Sequence, residues 1–259
     1  MHFVTLTTDW NKDDFYTGAV TGAILSSCKE VQVITLSNSI RSYSVSEAAF
    51  IVRNSCYHFP NGSVHIIAVG SEPSPEGRLL AAKIDGHYFL TADNGILGLL
   101  GDAESAEVVA IERTGGNLAE SFPALTCFSK TACRIIQGDS FSTLGTPVTD
   151  YKKQVPLRAT LDNNTITGTV IYIDSFGNAI TNITRELFDR FGMERKFTIY
   201  VQSKHYRITR LNRYYSETTG GDLLALFNSI DLLEIAIRNG SARDLLNLNT
   251  DSTIRVEFS

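Results

Sequence analysis

The stretch Phe3 to Leu25, FVTLTTDWNKDDFYTGAVTGAIL, constrains this chain more than any other. Phe3, Val4, Thr5, Leu6 and Thr7 alternate and are rich in β-branched and aromatic side chains, the pattern of a buried strand. A polar turn from Thr8 to Asp14 follows, then a helical pattern with Gly18, Gly22 and Ser26 spaced four apart on one face. Asp9 therefore falls at the carboxyl end of a strand and just before a helix, where open α/β sheets bind their ligands. A carboxylate there suits a neutral diol such as a ribose, from whose hydroxyls it accepts, and it would repel a phosphate. Asp9 or Asp13 is equally placed to cap the helix, and the stretch by itself leaves both readings open.

The next segments repeat the alternation. Val31 to Leu36 reads as a strand, Ser44 to Cys56 as a helix opened by a serine cap, and Ser63 to Val69 as a strand buried on both faces. Strand alternating with helix predicts an α/β fold whose N-terminal sheet is mainly parallel and flanked by helices. Gly70 to Gly77 is a Pro-containing loop on the ligand side of that sheet. Short strands are expected at Leu79–Ile84, His87–Thr91 and Glu107–Ile111, with a helix over Phe128–Gly138 stopped by its glycine. The polar segment Asp139 to Asn164 has no sustained period, and the domain linker is placed at 151–164, after an α/β domain over 1–150. From 165 to 259 short strands separated by turns predict a smaller β-barrel-like domain, with helices only at Arg185–Phe191 and Ala242–Leu246.

Charge and composition narrow the function. The net charge of −5 comes with no basic run, so the chain lacks the electrostatic footprint of a nucleic-acid binder. No apolar run approaches membrane-spanning length and no secretory signal is legible, so a cytoplasmic protein is expected. Cys28, Cys56, Cys127 and Cys133 show no CxxC spacing and are read as buried free thiols, and no histidine–cysteine cluster marks a metal site.

A second informative stretch is Tyr172 to Asn178, which puts Asp174, Phe176, Gly177 and Asn178 together at a strand end. This set can stack a purine on Phe176, read its edge with Asn178 and hold an ammonium with Asp174; plain turn chemistry explains D-S-F-G-N as well. The collinear series TTDxxxxDxYxGxxxG (Thr7–Gly22), FPxGxVH (Phe59–His65), DNGxL (Asp93–Leu97), IDxFGNxITN (Ile173–Asn182) and LEIAxxxGSA (Leu233–Ala242) spans nearly the whole chain. It resembles the S-adenosylmethionine hydrolase (hydroxide adenosyltransferase) family, whose relatives include the fluorinase and chlorinase. The resemblance implies a homotrimer with active sites between one subunit's N-domain and its neighbour's C-domain. S-adenosylmethionine is then the substrate or ligand, with no further cofactor. Asp9 would hold the ribose diol, Asp174, Phe176 and Asn178 the methionine and adenine end, and Ser229 and the backbone near Ala242 would complete the pocket.

The family's water-activating Asp-Arg-His trio is absent. Gly70 and Gly77 occupy the Asp and Arg positions, Arg78 lies one place along, and Pro123 stands at the His position. A further Asp and His become Thr35 and Asn38, and the halogenases' halide-binding hydroxyl falls at Ala124. Glu72, Glu76 and Arg78 lie in the right loop to substitute, or are ordinary solvated charges. His65 sits within a strand and reads as a structural histidine. Three functions follow from this pattern: cleavage of S-adenosylmethionine at C5′ through substitute groups, non-catalytic adenosyl binding, or a structural trimer.

Overall fold

A computed structural model describes residues 1–72, 77–101, 106–112, 121–192 and 195–259. The chain folds as two compact units, Met1–Pro156 and Leu157–Ser259.

In the first unit β1 (His2–Thr8) leads into α1 (Tyr16–Ser27), β2 (Val31–Ser37), α2 (Val45–Arg53) and β3 (Val64–Ala68). The hairpin β4 (Leu79–Ile84) and β5 (His87–Ala92) follows, then α3 (Leu97–Leu100), β6 (Glu107–Ile111), α4 (Ser129–Ile136) and β7 (Gly145–Pro147). The sheet order is β2-β1-β3-β5-β4-β6-β7. β1 pairs in parallel with β2 and β3, and β3 with β5; the remaining pairings are antiparallel. Helices cover both faces. Val4, Leu6 and Ile66 pack with Val20, Ile24 and Ala132 of α1 and α4, while Ile67 and Phe89 pack with Ala48, Val52 and Leu97 of α2 and α3. β3 is buried at every position, so its unbroken hydrophobicity is a two-faced burial signal, and each such Ile contributes on the order of 1.5–3 kcal/mol. The β4–β5 turn needs positive φ at two successive residues, which Asp85 (φ 47°) and Gly86 (φ 81°) supply, the geometry of a type I′ hairpin.

Four expectations are corrected here. α1 is not capped by Asp9 or Asp13: its N-cap is Phe15, with no side-chain cap bond. Ser44 does sit at the N-cap of α2, yet its hydroxyl makes no cap bond. Of the four cysteines, Cys28 and Cys133 are joined in a disulfide with Cα atoms 5.7 Å apart, because α1 and α4 lie side by side on one face of the sheet. Cys56 and Cys127 are buried thiols outside that bond. The helix expected over Phe128–Gly138 begins earlier, with a wide turn at Ala124–Phe128 that runs into α4.

In the second unit β8 (Thr160–Asp162), β9 (Thr165–Ile173) and β10 (Ala179–Thr184) lead to α5 (Arg185–Gly192), β11 (Phe197–Val201) and β12 (Ser203–Ile208). β13 (Leu223–Phe227), β14 (Leu232–Ile237), α6 (Ala242–Leu246) and β15 (Thr253–Phe258) complete it. The path β12-β11-β15-β9-β10-β14-β13 curls into a nearly closed barrel, and the Asn212 amide beyond β12 donates to the Ala225 carbonyl of β13 at 2.8 Å. One apolar cluster, including Ile166, Ile199, Ile235 and Val256, fills it. β10 escapes a hydrophobicity reading because Thr181 and Asn182 interrupt it; the Thr181 hydroxyl instead bonds the Leu233 carbonyl at 2.8 Å and is buried. Among the described residues no helix is long and apolar enough to cross a membrane.

Candidate functional site

β1 delivers Asp9 to the carboxyl edge of the parallel strands, half-buried between the segments that follow β2 and β3. Its Oδ2 accepts the Tyr43 backbone N–H at 2.9 Å and the Gly70 backbone N–H at 3.2 Å. Gly70 thus contributes a backbone donor to Asp9. Oδ1 has no hydrogen-bond partner among the described residues and remains an acceptor. The hydroxyls of Thr7 and Thr8, the last residues of β1, and of Thr91 near the end of β5 are buried without a partner, so this edge of the sheet carries unspent polar capacity.

Tyr43 is a residue the sequence did not point to. Its backbone is left-handed (φ 65°), which is what turns its N–H back onto Asp9. Its hydroxyl donates to Glu72 Oε1 at 3.0 Å. That hydrogen bond, then the Glu72 charge, with Asp9 adding to it, raise the pKa of the Tyr43 phenol. A bulky residue with positive φ is invisible to periodicity.

Arg78 is held elsewhere. Its Nε and Nη2 donate to Asp93 Oδ2 at 3.0 and 2.8 Å, and its Nη1 to Asp150 Oδ1 at 2.8 Å. These carboxylates raise its pKa above the usual guanidinium value, Asp150 first. The D-N-G motif that supplies Asp93 is a brace: Asp93 Oδ1 accepts the Lys152 N–H at 2.7 Å, and the Asn94 side-chain amide donates to the Val69 carbonyl at 2.9 Å, next to Gly70. Glu76 lies outside the described residues. Pro123 opens the wide turn, where the Leu125 and Thr126 amides both donate to the Phe122 carbonyl. Phe122 packs edge-on against Trp10, the neighbour of Asp9, with ring centroids 5.1 Å apart. That stretch therefore adjoins the Asp9 turn and offers it an aromatic ring. His65 is structural: it is fully buried, bonded to Thr5 Oγ1 at 2.8 Å and to His87 at 3.1 Å, and desolvation lowers its pKa to about 3.

In the second unit the D-S-F-G-N segment forms a tight turn. Asp174 Oδ1 accepts the Phe176 and Asn178 backbone amides, both at 2.9 Å, and Oδ2 accepts the Asn178 side-chain amide at 3.0 Å. Turn chemistry is thus built, and its consequence is to hold Phe176 outward, 77% exposed, while Asn178 is buried beneath it. Gly177 (φ 78°) permits the close approach of the last motif: a Cβ there would lie 2.1 Å from the Ser241 Oγ, and the Gly177 carbonyl accepts the Arg243 N–H at 2.8 Å. Ala242, beside that contact, is fully buried, whereas Ser229 is exposed on the turn before β14. Glu234 is the residue of this unit that reading by motif alone underrated. It is 3% exposed, and accepts from the Tyr215 hydroxyl at 2.5 Å and from the Asn228 amide at 3.2 Å. Burial raises its pKa against the pull of those bonds, and the Asp174 charge adds to the rise. A lone glutamate inside Leu232-Leu233-Glu234-Ile235-Ala236-Ile237 is the available signal, since a charge in a buried strand needs a reason.

Fold and geometry together define a two-unit protein: a carboxylate at the edge of a parallel sheet on one, an outward aromatic turn on a small barrel on the other. Residues 4–145 match the SAM hydroxide adenosyltransferase N-terminal domain and residues 168–255 its C-terminal domain. The chain belongs to the SAM hydroxide adenosyltransferase family. It is 24% identical over 271 residues to the (R)-S-adenosyl-L-methionine hydrolase of Methanocaldococcus jannaschii, covering 100% of this chain and 97% of that protein. To the hydrolase of the same name from Thermus thermophilus it is 24% identical over 268 residues, covering 99% of this chain and all of that one. Its fold is similar to that of an uncharacterized conserved protein from Thermotoga maritima, with a TM-score of 0.87 at 22% identity over 98% of this chain and 99% of the other.

Proposed function

We propose that this chain binds S-adenosylmethionine and cleaves it at C5′ with water, giving adenosine and methionine. The observation that carries the reading is the state of Asp9: Oδ2 is pinned by two backbone amides and Oδ1 is left as an acceptor for a ribose diol. Pre-fixing that oxygen means little entropy is lost when the hydroxyls arrive. Phe176, held outward, offers a face for the adenine, and Asp174 the charge for an ammonium. A homotrimer that sets Asp9 of one copy against Phe176 of the next, with Ser229 and the Ala242 backbone at its rim, would complete the pocket. No further cofactor enters this reading. A cytoplasmic setting goes with it, and the Cys28–Cys133 bond is the feature that argues the other way.

The chemistry discharges a sulfonium, so positive charge disappears on the way to the transition state and a dry pocket favours the reaction. A second reading, non-catalytic adenosyl binding, draws on Gly70, Gly77 and Pro123 standing where the family pattern carries the water-activating trio. Incubating the purified protein with S-adenosylmethionine and following adenosine and methionine by chromatography tests the first reading. Calorimetry with adenosine tests the second. Binding without product leaves the second alone; neither binding nor product sinks both.

A further inference from the structure

The Tyr43–Glu72 pair is the feature that the reading above leaves without a role. A left-handed backbone costs a bulky residue roughly 1–2 kcal/mol, and glycine would take the same conformation without that strain. Burial does not offset it, because Tyr43 is 63% exposed. The backbone N–H that Tyr43 gives Asp9 is one that glycine would give equally well. What only the tyrosine provides is its hydroxyl on Glu72 Oε1 at 3.0 Å. Glu72 follows β3 by four residues, and Gly70, two residues before it, is itself bonded to Asp9. The hydrogen bonds therefore form one chain: Asp9 fixes the Tyr43 backbone, and the Tyr43 hydroxyl fixes the Glu72 carboxylate. Glu72 Oε2 has no hydrogen-bond partner among the described residues. Among the described residues the arginines on the same loops are committed: Arg41 to Glu47, and Arg78 to Asp93 and Asp150.

We infer that Glu72 is the general base for water in this chain and that Tyr43 is its positioning residue, replacing the missing trio with a carboxylate–phenol pair. This rests on the proposed S-adenosylmethionine cleavage. A water molecule on Glu72 Oε2 gives its proton to the carboxylate as its oxygen bonds to C5′. The C5′–S bond breaks with its electron pair going to sulfur, so the sulfonium leaves as neutral methionine thioether. Glu72 then releases the proton to solvent, and no other reactant is consumed. The sequence alone offered Glu72 only as one of several loop charges; the tyrosine that aims it became visible in the fold.

The test uses full-length protein with S-adenosylmethionine. Glu72→Gln is expected to lower kcat by about 10²–10⁴-fold with Kd for adenosine unchanged. Glu72→Ala is expected to recover part of its loss in added formate, which replaces the missing carboxylate. Tyr43→Phe should lower kcat with KM unchanged, and adding it to Glu72→Gln should cost nothing more, since the two act as a unit. Tyr43→Gly, relieved of its strain, should keep or raise thermal stability while losing the same turnover. Wild-type turnover that survives Glu72→Gln overturns the assignment. So does wild-type protein that binds adenosine and makes no product, an outcome that leaves the binding reading intact. Failure of wild type to bind adenosine at all is the separate failure of the underlying reading.

Discussion

Asp9→Asn separates the structural duty of Asp9 from its binding duty. In the wild type Oδ2 carries two backbone amides, at 2.9 and 3.2 Å, and Oδ1 has no partner among the described residues. An asparagine whose Oδ1 takes over the amides keeps the Tyr43 and Gly70 segments in place, so the unfolding free energy should change by less than about 1 kcal/mol. The other atom then becomes an NH2 donor to hydroxyls that it no longer accepts from with charge. Hydrogen bonds to a charged group are worth about 1.5–3 kcal/mol, so adenosine affinity should fall by about 10- to 150-fold. Adenosine, being neutral, keeps long-range attraction to the sulfonium out of the comparison. The assay is titration calorimetry with adenosine and with 2′,3′-dideoxyadenosine. The dideoxy compound should bind wild type and Asp9→Asn alike, because the groups that tell the two proteins apart are gone. If Asp9→Asn binds adenosine as wild type does, or if the dideoxy compound discriminates as strongly, the diol does not sit on Asp9.

Two further outcomes check the fold beneath the site. His65 is buried neutral with its pKa lowered to about 3, so below the unfolded value of 6.5 the unfolded chain binds a proton that the native state refuses. Stability should therefore fall as pH drops, by about 2 kcal/mol between pH 6.5 and 5 from His65, with the lowered His87 adding in the same direction. Denaturant unfolding of wild type and His65→Phe across that range reads it, and an unchanged slope in the variant refutes it. Gly177→Ala should destabilise by about 2–3 kcal/mol, since its Cβ would meet Ser241 Oγ at 2.1 Å on a backbone with φ 78°. Ser241→Ala in the same background should recover only part, because the Ser241 Cβ stands at 2.8 Å; a Gly177→Ala protein as stable as wild type would show that the two motifs do not meet.

Local pattern decided which segments became strands and helices. Val64–Ala68 reads as a fully buried strand because two faces demand apolar residues at consecutive positions, and Phe3–Thr7 followed by a polar turn puts Asp9 at a strand end. The family's motifs likewise announced two units and a ligand class, since the residues that hold a ligand have to be particular residue types at particular spacings. What the sequence withheld are properties of pairs far apart in the chain. Asp9 meets Tyr43 and Gly70 across 34 and 61 residues, Cys28 meets Cys133 across 105, and Arg78 is claimed by Asp150 across 72. Each depends on which strand lies beside which, and strand order is set by the summed burial of two sheet faces, to which any single residue contributes little. The same holds for Tyr43: no periodicity records a left-handed tyrosine, because its conformation is imposed by the carboxylate that its amide must reach.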